Sequence, residues 1–520
     1  MGLRGADVIA KSLALVGTRH VFALSGNHIM SVFDAALDAN LSLVHVRHEA
    51  AAVHMAHAWA RLTGEVGIAL LTGGPGHANG ISALYTALAG ESPVVLLSGQ
   101  APLAELGQGA FQEMRQAEMA APVTKASWTV QSAEALGEEL ARAIRLARSG
   151  RPGPVHLSLP VDLLEATVER ALPDREAFAP CVPPRDERAL RMLLAALASA
   201  KRPLVLAGPA MTTEGGRALL AGFSDATGVP AVPMESPRGV SDPSLGDFAD
   251  VLKRADVVAL VGKRLDYALK FGKAFGAECR VIDGGLEPNA AATFAGLIEL
   301  AGEFDWPGGG WLDDAQAALR YRPSGWADLA SARGGPVHPV EVCRALQKLL
   351  DTAPASVVVI DGGEFGQWAQ SLLTAPHRMI NGPAGAIGPA LPFALAARLA
   401  FPSSLVACAM GDGTCGYHLS EFDTAVRHGL PVLAVVGNDA RWNAEYQIQV
   451  RAYGPERTYG CELLPGTRYD RVCEALGGHG EYVTCASELP AALARAVQSH
   501  RPACVNVRIE GLPAPSLHRS

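Results

Sequence analysis

The first 180 residues contain no cysteine, and none of the nine cysteines between Cys181 and Cys504 forms a C-x-x-C pair. That scatter excludes a disulfide framework and the usual zinc spacings, and it reads as reduced, buried thiols. Aromatic residues are scarce at 6 %, charged residues make up 18 %, and the net charge is −8. With that balance there is no broad positive field to attract nucleic acid or an anionic membrane. No apolar run reaches the ~18 residues that a membrane-spanning helix requires. The opening MGLRGADVIAKSLALVG reads as an amphipathic helix with no signal-peptide cleavage pattern. Ala6 stands where a myristoylation pattern wants Ser or Thr. The expectation is a globular cytoplasmic protein that takes a small molecule.

What is present is length and short apolar runs. A chain of 520 residues exceeds one hydrophobic core. GIALLTGGPG (67–76), PVVLLSGQ (93–100), RPLVLAGPA (202–210), ADVVALVGKR (255–264), ASVVVIDGG (355–363), LVACAMGDG (405–413) and PVLAVVGND (431–439) each end abruptly in Gly or a polar residue. Their length suits strands buried on both faces, and amphipathic helical segments lie between them, which predicts α/β domains with parallel sheets. Ligands in such sheets bind beyond the carboxyl ends of the strands, where these Gly and polar residues lie. LPDREAFAPCVPPRD (172–186) reads as a linker, and a looser region from 305 to 339 makes a second boundary. Three α/β units follow: 1–171, 187–325 and 337–512. The tail PAPSLHRS reads as frayed.

The strongest chemical pattern is Gly411-Asp412-Gly413 at one strand end and Asn438-Asp439 at the next, with a helix between them. Neighbouring strand ends place Asp412 and Asp439 side by side, which suits a hard divalent cation that also binds phosphate oxygens. The glycines let backbone N–H groups approach a phosphate, and the following helix points its positive end there. A lone GDG reads as a tight turn; its pairing with ND across one βαβ unit points to the metal. Another pattern is VRHEAAA (46–52), which puts Glu49 at a helix start, followed by small alanines that allow close packing around its carboxylate.

Together these stretches resemble the thiamine-diphosphate-dependent enzymes, in the branch that contains acetolactate synthase, pyruvate decarboxylase, benzaldehyde lyase and 2-hydroxyacyl-CoA lyase. The resemblance spans nearly the whole chain and implies three doubly wound parallel-sheet domains: pyrimidine-binding, middle and diphosphate-binding. It implies thiamine diphosphate and Mg²⁺ as cofactors, with FAD conceivable in the middle domain but not expected. Glu49 would hydrogen-bond the pyrimidine ring and so help remove the C2 proton. Asp412, Asp439 and the main-chain carbonyl of Arg441 would ligate the metal. Gly411, Gly413, Thr414, Trp442 and Asn443 would flank the diphosphate. Where the family usually has Asn-Asn, this chain has Asn438-Asp439, which keeps an oxygen ligand and adds a charge.

GPAGAIGPA (382–390) resembles the family turn in which a large aliphatic residue, here Ile387, bends the cofactor, while a Gly carbonyl, here Gly385, takes the pyrimidine amine. TGGPGHANG (72–80) resembles the turn flanking the pyrimidine pocket, with Thr72 at its start; it lacks the Lys-Ser/Thr of a P-loop. In ALSGNHIMSVF (23–33), His28 resembles the active-site His of benzaldehyde lyase. In GAFQEMRQAEMAAPVTKAS (109–127), Gln112 of the F-Q-E core would face the cofactor and Glu113 would serve structure. Glu445 lies where pyruvate decarboxylase has an acid/base glutamate, although a solvent-facing helix Glu explains it nearly as well. Lys263, Arg264, Lys270 and Lys273 could meet a nucleotide such as the ADP part of coenzyme A; a solvated basic face is the plainer reading.

The activity implied is a lyase or carboligase acting on 2-hydroxy ketones or 2-hydroxyacyl compounds. The alternatives are an acetolactate-synthase-like enzyme or 2-oxoacid decarboxylase acting on pyruvate-type substrates, and a catalytically silent homologue. The family also implies a homodimer as the smallest active unit, commonly a homotetramer, with sites at the subunit interface.

Overall fold

A computed structural model describes residues 2–169, 172–182, 184–283, 289–306 and 308–517. Two units divide the chain, residues 1–184 and residues 185–520.

The first unit contains β1 (Leu3–Arg4), β2 (His20–Ala23), β3 (Ser42–His45), β4 (Gly67–Leu71), β5 (Val94–Gln100), β6 (Ala126–Thr129), β7 (Val155–Pro160) and β8 (Thr167–Val168). Six of these form an all-parallel sheet in the order β3-β2-β4-β5-β7-β6, and β1 pairs with β8 antiparallel. Strands β4, β5 and β7 are buried along their whole length, as apolar runs must be when helices cover both faces of the sheet. The order reverses between β2 and β4, so a crevice opens beyond their carboxyl ends.

The second unit carries two further parallel sheets. Strands β9 (Pro203–Ala207), β10 (Ala231–Pro233), β11 (Val257–Val261) and β12 (Arg280–Asp283) run in the order β10-β9-β11-β12. Strands β13 (Val357–Ile360), β14 (His377–Ile380), β15 (Val406–Gly411), β16 (Leu433–Asn438), β17 (His479–Val483) and β18 (Ala503–Arg508) run in the order β14-β13-β15-β16-β18-β17. Here the order reverses between β13 and β15, which makes another crevice. All seven apolar runs marked in the sequence contain strands, and the α/β class with parallel sheets is the one observed.

The tail differs from expectation. The Leu512 and Pro513 carbonyls accept hydrogen bonds from Asn443 Nδ2 (2.9 Å) and Trp368 Nε1 (3.0 Å), and the Ala514 N–H donates to Glu364 (3.0 Å). Leu517 is buried, so residues 512–517 are a strap laid on the second unit, not a frayed end. Residues 518–520 lie outside the described residues. The composition, rich in Pro and Ser, suggested fraying; side-chain donors waiting on two helices override it.

Candidate active site

In the first unit the helix Glu49–Thr63 starts at Glu49, is capped by His48 accepting from the Ala50 N–H (3.1 Å), and ends at left-handed Gly64. Every residue from Ala50 to Arg61 is buried, so the alanines serve a helix packed on all sides. Glu49 itself, at the open end, is half-buried, and Asn79 Nδ2 donates to its Oε2 at 3.0 Å. Gly76 lies between Thr72 and Glu49: a Cβ there would come within 2.6 Å of Thr72 Cγ2 and 3.5 Å of Glu49 Oε1. Thr72 Oγ1 meets His28 Nδ1 at 3.2 Å, and the exposed ring of Phe111 stacks on His28 with centroids 6.2 Å apart. Burial lowers the His28 pKa, which keeps the ring neutral near pH 7.

Gln112 occupies a left-handed conformation (φ 55°) and its backbone seats on Gly74, where a Cβ would meet the Gln112 carbonyl oxygen at 2.5 Å. Only glycine allows that approach at Gly74, whose own φ is 60°. Glu113 folds back to accept from the Gly107 (2.5 Å), Gly109 (3.0 Å) and Ala110 (3.1 Å) amides, and these bonds lower its pKa. The F-Q-E core therefore divides its work: Phe111 stacks on His28, Gln112 packs on the turn, and Glu113 closes the loop. Thr72, His28, Glu49 and Gln112 thus gather at the switch point of the first sheet.

In the second unit a cavity of about 80 Å³ opens at the other switch point. Its lining includes Ile387, Asp412, Asp439, Trp442, Asn443 and Glu445; Gly411, Gly413, Thr414 and Arg441 also reach it. The register pairs Gly411 with Gly437, which brings Asp412 and Asp439 to adjacent strand ends. Asp412 is buried; its Oδ1 accepts from the Gly413 N–H (3.0 Å), while Oδ2 has no partner. Burial raises the Asp412 carboxyl to about 6. Burial and then the nearby Asp412 charge raise Asp439 to about 7. Two carboxyls held this way, one with an orphaned oxygen, are under-neutralised by the protein itself. The Trp442 ring packs against Gly413, where a Cβ would meet it at 2.7 Å.

Gly385 does not line this cavity. It sits at φ 68° in the loop before the helix Ala390–Ala400, facing Pro237. Ile387 lies against Gly362, where a Cβ would meet its Cγ2 at 3.0 Å. The loop is held by Asp361, which sequence reasoning missed. Fully buried at the end of β13, Asp361 accepts from the amides of Gly362 (2.7 Å), Gly388 (2.9 Å) and Ala390 (3.0 Å). The signal was available: an Asp closing the apolar run SVVVID. Glu364 was also missed as a tie. It lines the cavity and accepts from Arg238 (3.2 Å) and from the strap at Ala514 (3.0 Å). Cys415 is buried and its thiol is kept protonated, consistent with packing.

The middle-sheet cations divide. Lys263 is buried and pairs with Asp266 (2.7 Å). Lys270 and Lys273 line a separate cavity of about 320 Å³ with Arg238, Lys253 and strap residues 514–517.

The second unit holds a glycine cradle beside two under-neutralised carboxylates, and the first holds a glutamate at the open end of a buried helix; each suits an α/β enzyme that binds a cofactor. Residues 3–119 match the N-terminal TPP binding domain of thiamine pyrophosphate enzymes, and residues 361–507 match the C-terminal TPP binding domain. The acetolactate synthase large subunit IlvG of Mycobacterium tuberculosis is 35 % identical over 97 % of this chain and 95 % of its own length. The 2-hydroxyacyl-CoA lyase 2 of Homo sapiens is 30 % identical over 92 % of this chain and 84 % of its own length, and that of Mus musculus 31 % over the same shares. The chain belongs to the thiamine pyrophosphate enzymes. It is a thiamine-dependent enzyme of the carboligase and lyase class, related to both acetolactate synthase and 2-hydroxyacyl-CoA lyase.

Proposed function

We propose that this enzyme, with thiamine diphosphate and Mg²⁺, makes or breaks the bond between a carbonyl carbon and a carbinol carbon in 2-hydroxy ketones or 2-hydroxyacyl compounds. The observation that carries the reading is the neutral His28, held by Thr72 and stacked by Phe111 in the cluster that contains Glu49. When bound, thiamine diphosphate supplies the nucleophilic carbon and holds the electron pair released by C–C cleavage.

The protein's share is binding, orientation and proton handling. Asp412, Asp439 and the Arg441 main chain would hold the metal; the orphaned Asp412 Oδ2 is the oxygen a cation would satisfy. Among the described residues no group of three or more His, Cys, Asp or Glu could hold a metal ion. The residues from Gly411 to Thr414 and Trp442 with Asn443, which line the cavity, would hold the diphosphate. Ile387 would hold the bound cofactor bent and the Gly385 carbonyl would take its pyrimidine amine, which would bring the reacting groups together. Glu49 shares a proton with the pyrimidine nitrogen. His28 and Gln112 would hydrogen-bond the substrate oxygens, and Glu445 would serve as the acid/base group.

Assembly as at least a homodimer, and as a homotetramer in its full form, agrees with a helix, Asn443–Tyr453, in which only Asn443 is buried. Ile448, Tyr453, Tyr459 and Leu464 stand exposed on and after it, an apolar surface that a second copy would cover. The scattered, unpaired cysteines support a cytoplasmic location. Among the described residues no helix is long and apolar enough to cross a membrane.

A pyruvate-consuming, acetolactate-synthase-like activity is the second reading, favoured by the 35 % identity to such an enzyme. Within the first reading, the cations around the larger cavity support a substrate bearing coenzyme A. The test offers benzoin-type hydroxy ketones, 2-hydroxyacyl-CoA and pyruvate in parallel and identifies products by mass spectrometry. Cleavage of a hydroxy ketone or a 2-hydroxyacyl thioester supports the proposal; pyruvate converted to acetolactate with neither of those cleaved overturns it.

A further inference from the structure

Gln116, four residues beyond the glutamine singled out in the sequence, occupies the more constrained place. It opens the short helix Gln116–Ala120 and is 1 % exposed. Its Oε1 accepts from the Gly74 N–H at 2.7 Å. Its Nε2 donates to the Gly99 carbonyl at 3.0 Å and to Ser158 Oγ at 2.9 Å. Both amide protons and one carbonyl lone pair are therefore used, each on a different segment: the turn after β4, the end of β5, and β7.

Two of those partners, Gly74 and Gly99, and the neighbouring Gly73 abut residues of the candidate site. Gly74 is the seat of the Gln112 backbone. Gly73 presses on both Gln116 Oε1 and His28 Nδ1, where a Cβ would come within 3.2 and 3.3 Å. Gly99 lies against His28, where a Cβ would meet the His28 Cβ at 2.6 Å. The segment between Gln112 and Gln116 is pinned as well, because Gln100 Nε2 donates to the Met114 carbonyl at 2.8 Å. One buried amide thus sets the spacing between the Thr72–Pro75 turn, the strand end behind His28 and the loop that presents Phe111 and Gln112.

We infer that Gln116 is a positioning residue: its carboxamide fixes His28 and Gln112 relative to each other, and through them the substrate side of the site. That role needs no contact of its own with substrate or cofactor. The inference rests on the proposed role of this cluster, and its test has a readout that does not depend on that role.

The variants are Gln116→Leu, which keeps volume and removes all three bonds, and Gln116→Glu, which keeps an acceptor for Gly74 and loses the donor to Gly99. Hydrogen exchange of the full-length protein without cofactor is followed by mass spectrometry. Peptides covering residues 72–76 and 109–116 of Gln116→Leu should exchange at least ~10-fold faster than wild type, with the rest of the first unit unchanged. Gln116→Glu should restore protection at the Gly74 turn while residues 98–101 stay loosened. For the compound that wild type turns over, kcat should fall ~10-fold or more in Gln116→Leu and recover in part in Gln116→Glu. Affinity for thiamine diphosphate should stay within about threefold in both. If Gln116→Leu does not fold, the split between residues 72–76 and 98–101 in Gln116→Glu carries the test. Uniform acceleration across the first unit, unchanged exchange, or an unchanged kcat per folded molecule overturns the inference. A wild type that binds no thiamine diphosphate would overturn the proposed function and leave the exchange comparison standing.

Discussion

Replacing Asp439 by Asn should stabilise the protein without its cofactors and weaken the response to them. The Asp439 carboxyl is raised from 3.8 to about 7, by burial first and by Asp412 second. Because the folded value lies above the unfolded one, the folded state retains a proton that the unfolded chain has lost between about pH 4 and 7. Stability therefore falls as pH rises through that window, and the full penalty is present above it. About three units at 1.36 kcal/mol each set a ceiling of about 4 kcal/mol. Asp439 is only partly buried, and solvent screening reduces this to about 2 kcal/mol.

Asn keeps the shape and an oxygen ligand but carries no charge. In EDTA at pH 8 the thermal midpoint of Asp439→Asn should rise by roughly 4 °C, and at pH 5 by much less. With Mg²⁺ and thiamine diphosphate the order should reverse, because a cation held as proposed between two carboxylates would then meet only one. Differential scanning fluorimetry at both pH values, with and without cofactors, reads all four states. A variant with no gain in EDTA at pH 8, or with the same cofactor-induced shift as wild type, would refute the account of the carboxylate pair.

Two further outcomes follow from the packing. Gly413→Ala places a methyl 2.7 Å from the Trp442 ring, against an ordinary carbon contact of about 3.5–4 Å, so the ring must move by about 1 Å. Overpacking of that size costs about 1–3 kcal/mol, and with Trp442 displaced from the cavity the affinity for thiamine diphosphate, titrated by tryptophan fluorescence, should drop at least ~10-fold. His77 is buried, its Nδ1 2.9 Å from Ser98 Oγ and its ring 4.5 Å from that of His156. Burial lowers its pKa from 6.5 to about 4, so its contribution to stability is complete above pH 6.5 and is lost as pH falls toward 4. The urea midpoint should reflect a loss of about 3 kcal/mol across that window, and His77→Asn should flatten the slope.

Most of the scaffold was legible because buried parallel strands tolerate only apolar residues, so each strand announces itself and ends where the chain turns polar. The same rule exposed Asp412 and Asp439, which sit at paired strand ends, and Glu49, whose alanine-rich helix is buried on every side. Choosing among the glutamines was a different problem. Gln112 and Gln116 share one segment, and nothing in FQEMRQ shows that the first takes a left-handed backbone while the second is bonded to the turn after β4, the end of β5 and β7. That outcome depends on where Gly74, Gly99 and Ser158 meet, which is long-range information. Asp361 and the strap escaped for a similar reason, since their partners lie 27 and 29 residues away for Asp361 and 69 to 150 residues away for the strap.

The role of Glu49 is tested most directly by exchange of the C2 proton of bound thiamine diphosphate with deuterium, followed by acid quench and NMR. Glu49→Gln should keep the wild-type fold and still bind the cofactor, while C2 exchange slows by ~10²-fold or more. Exchange at the wild-type rate in the loaded variant would contradict the assignment of Glu49 as the group that activates the cofactor.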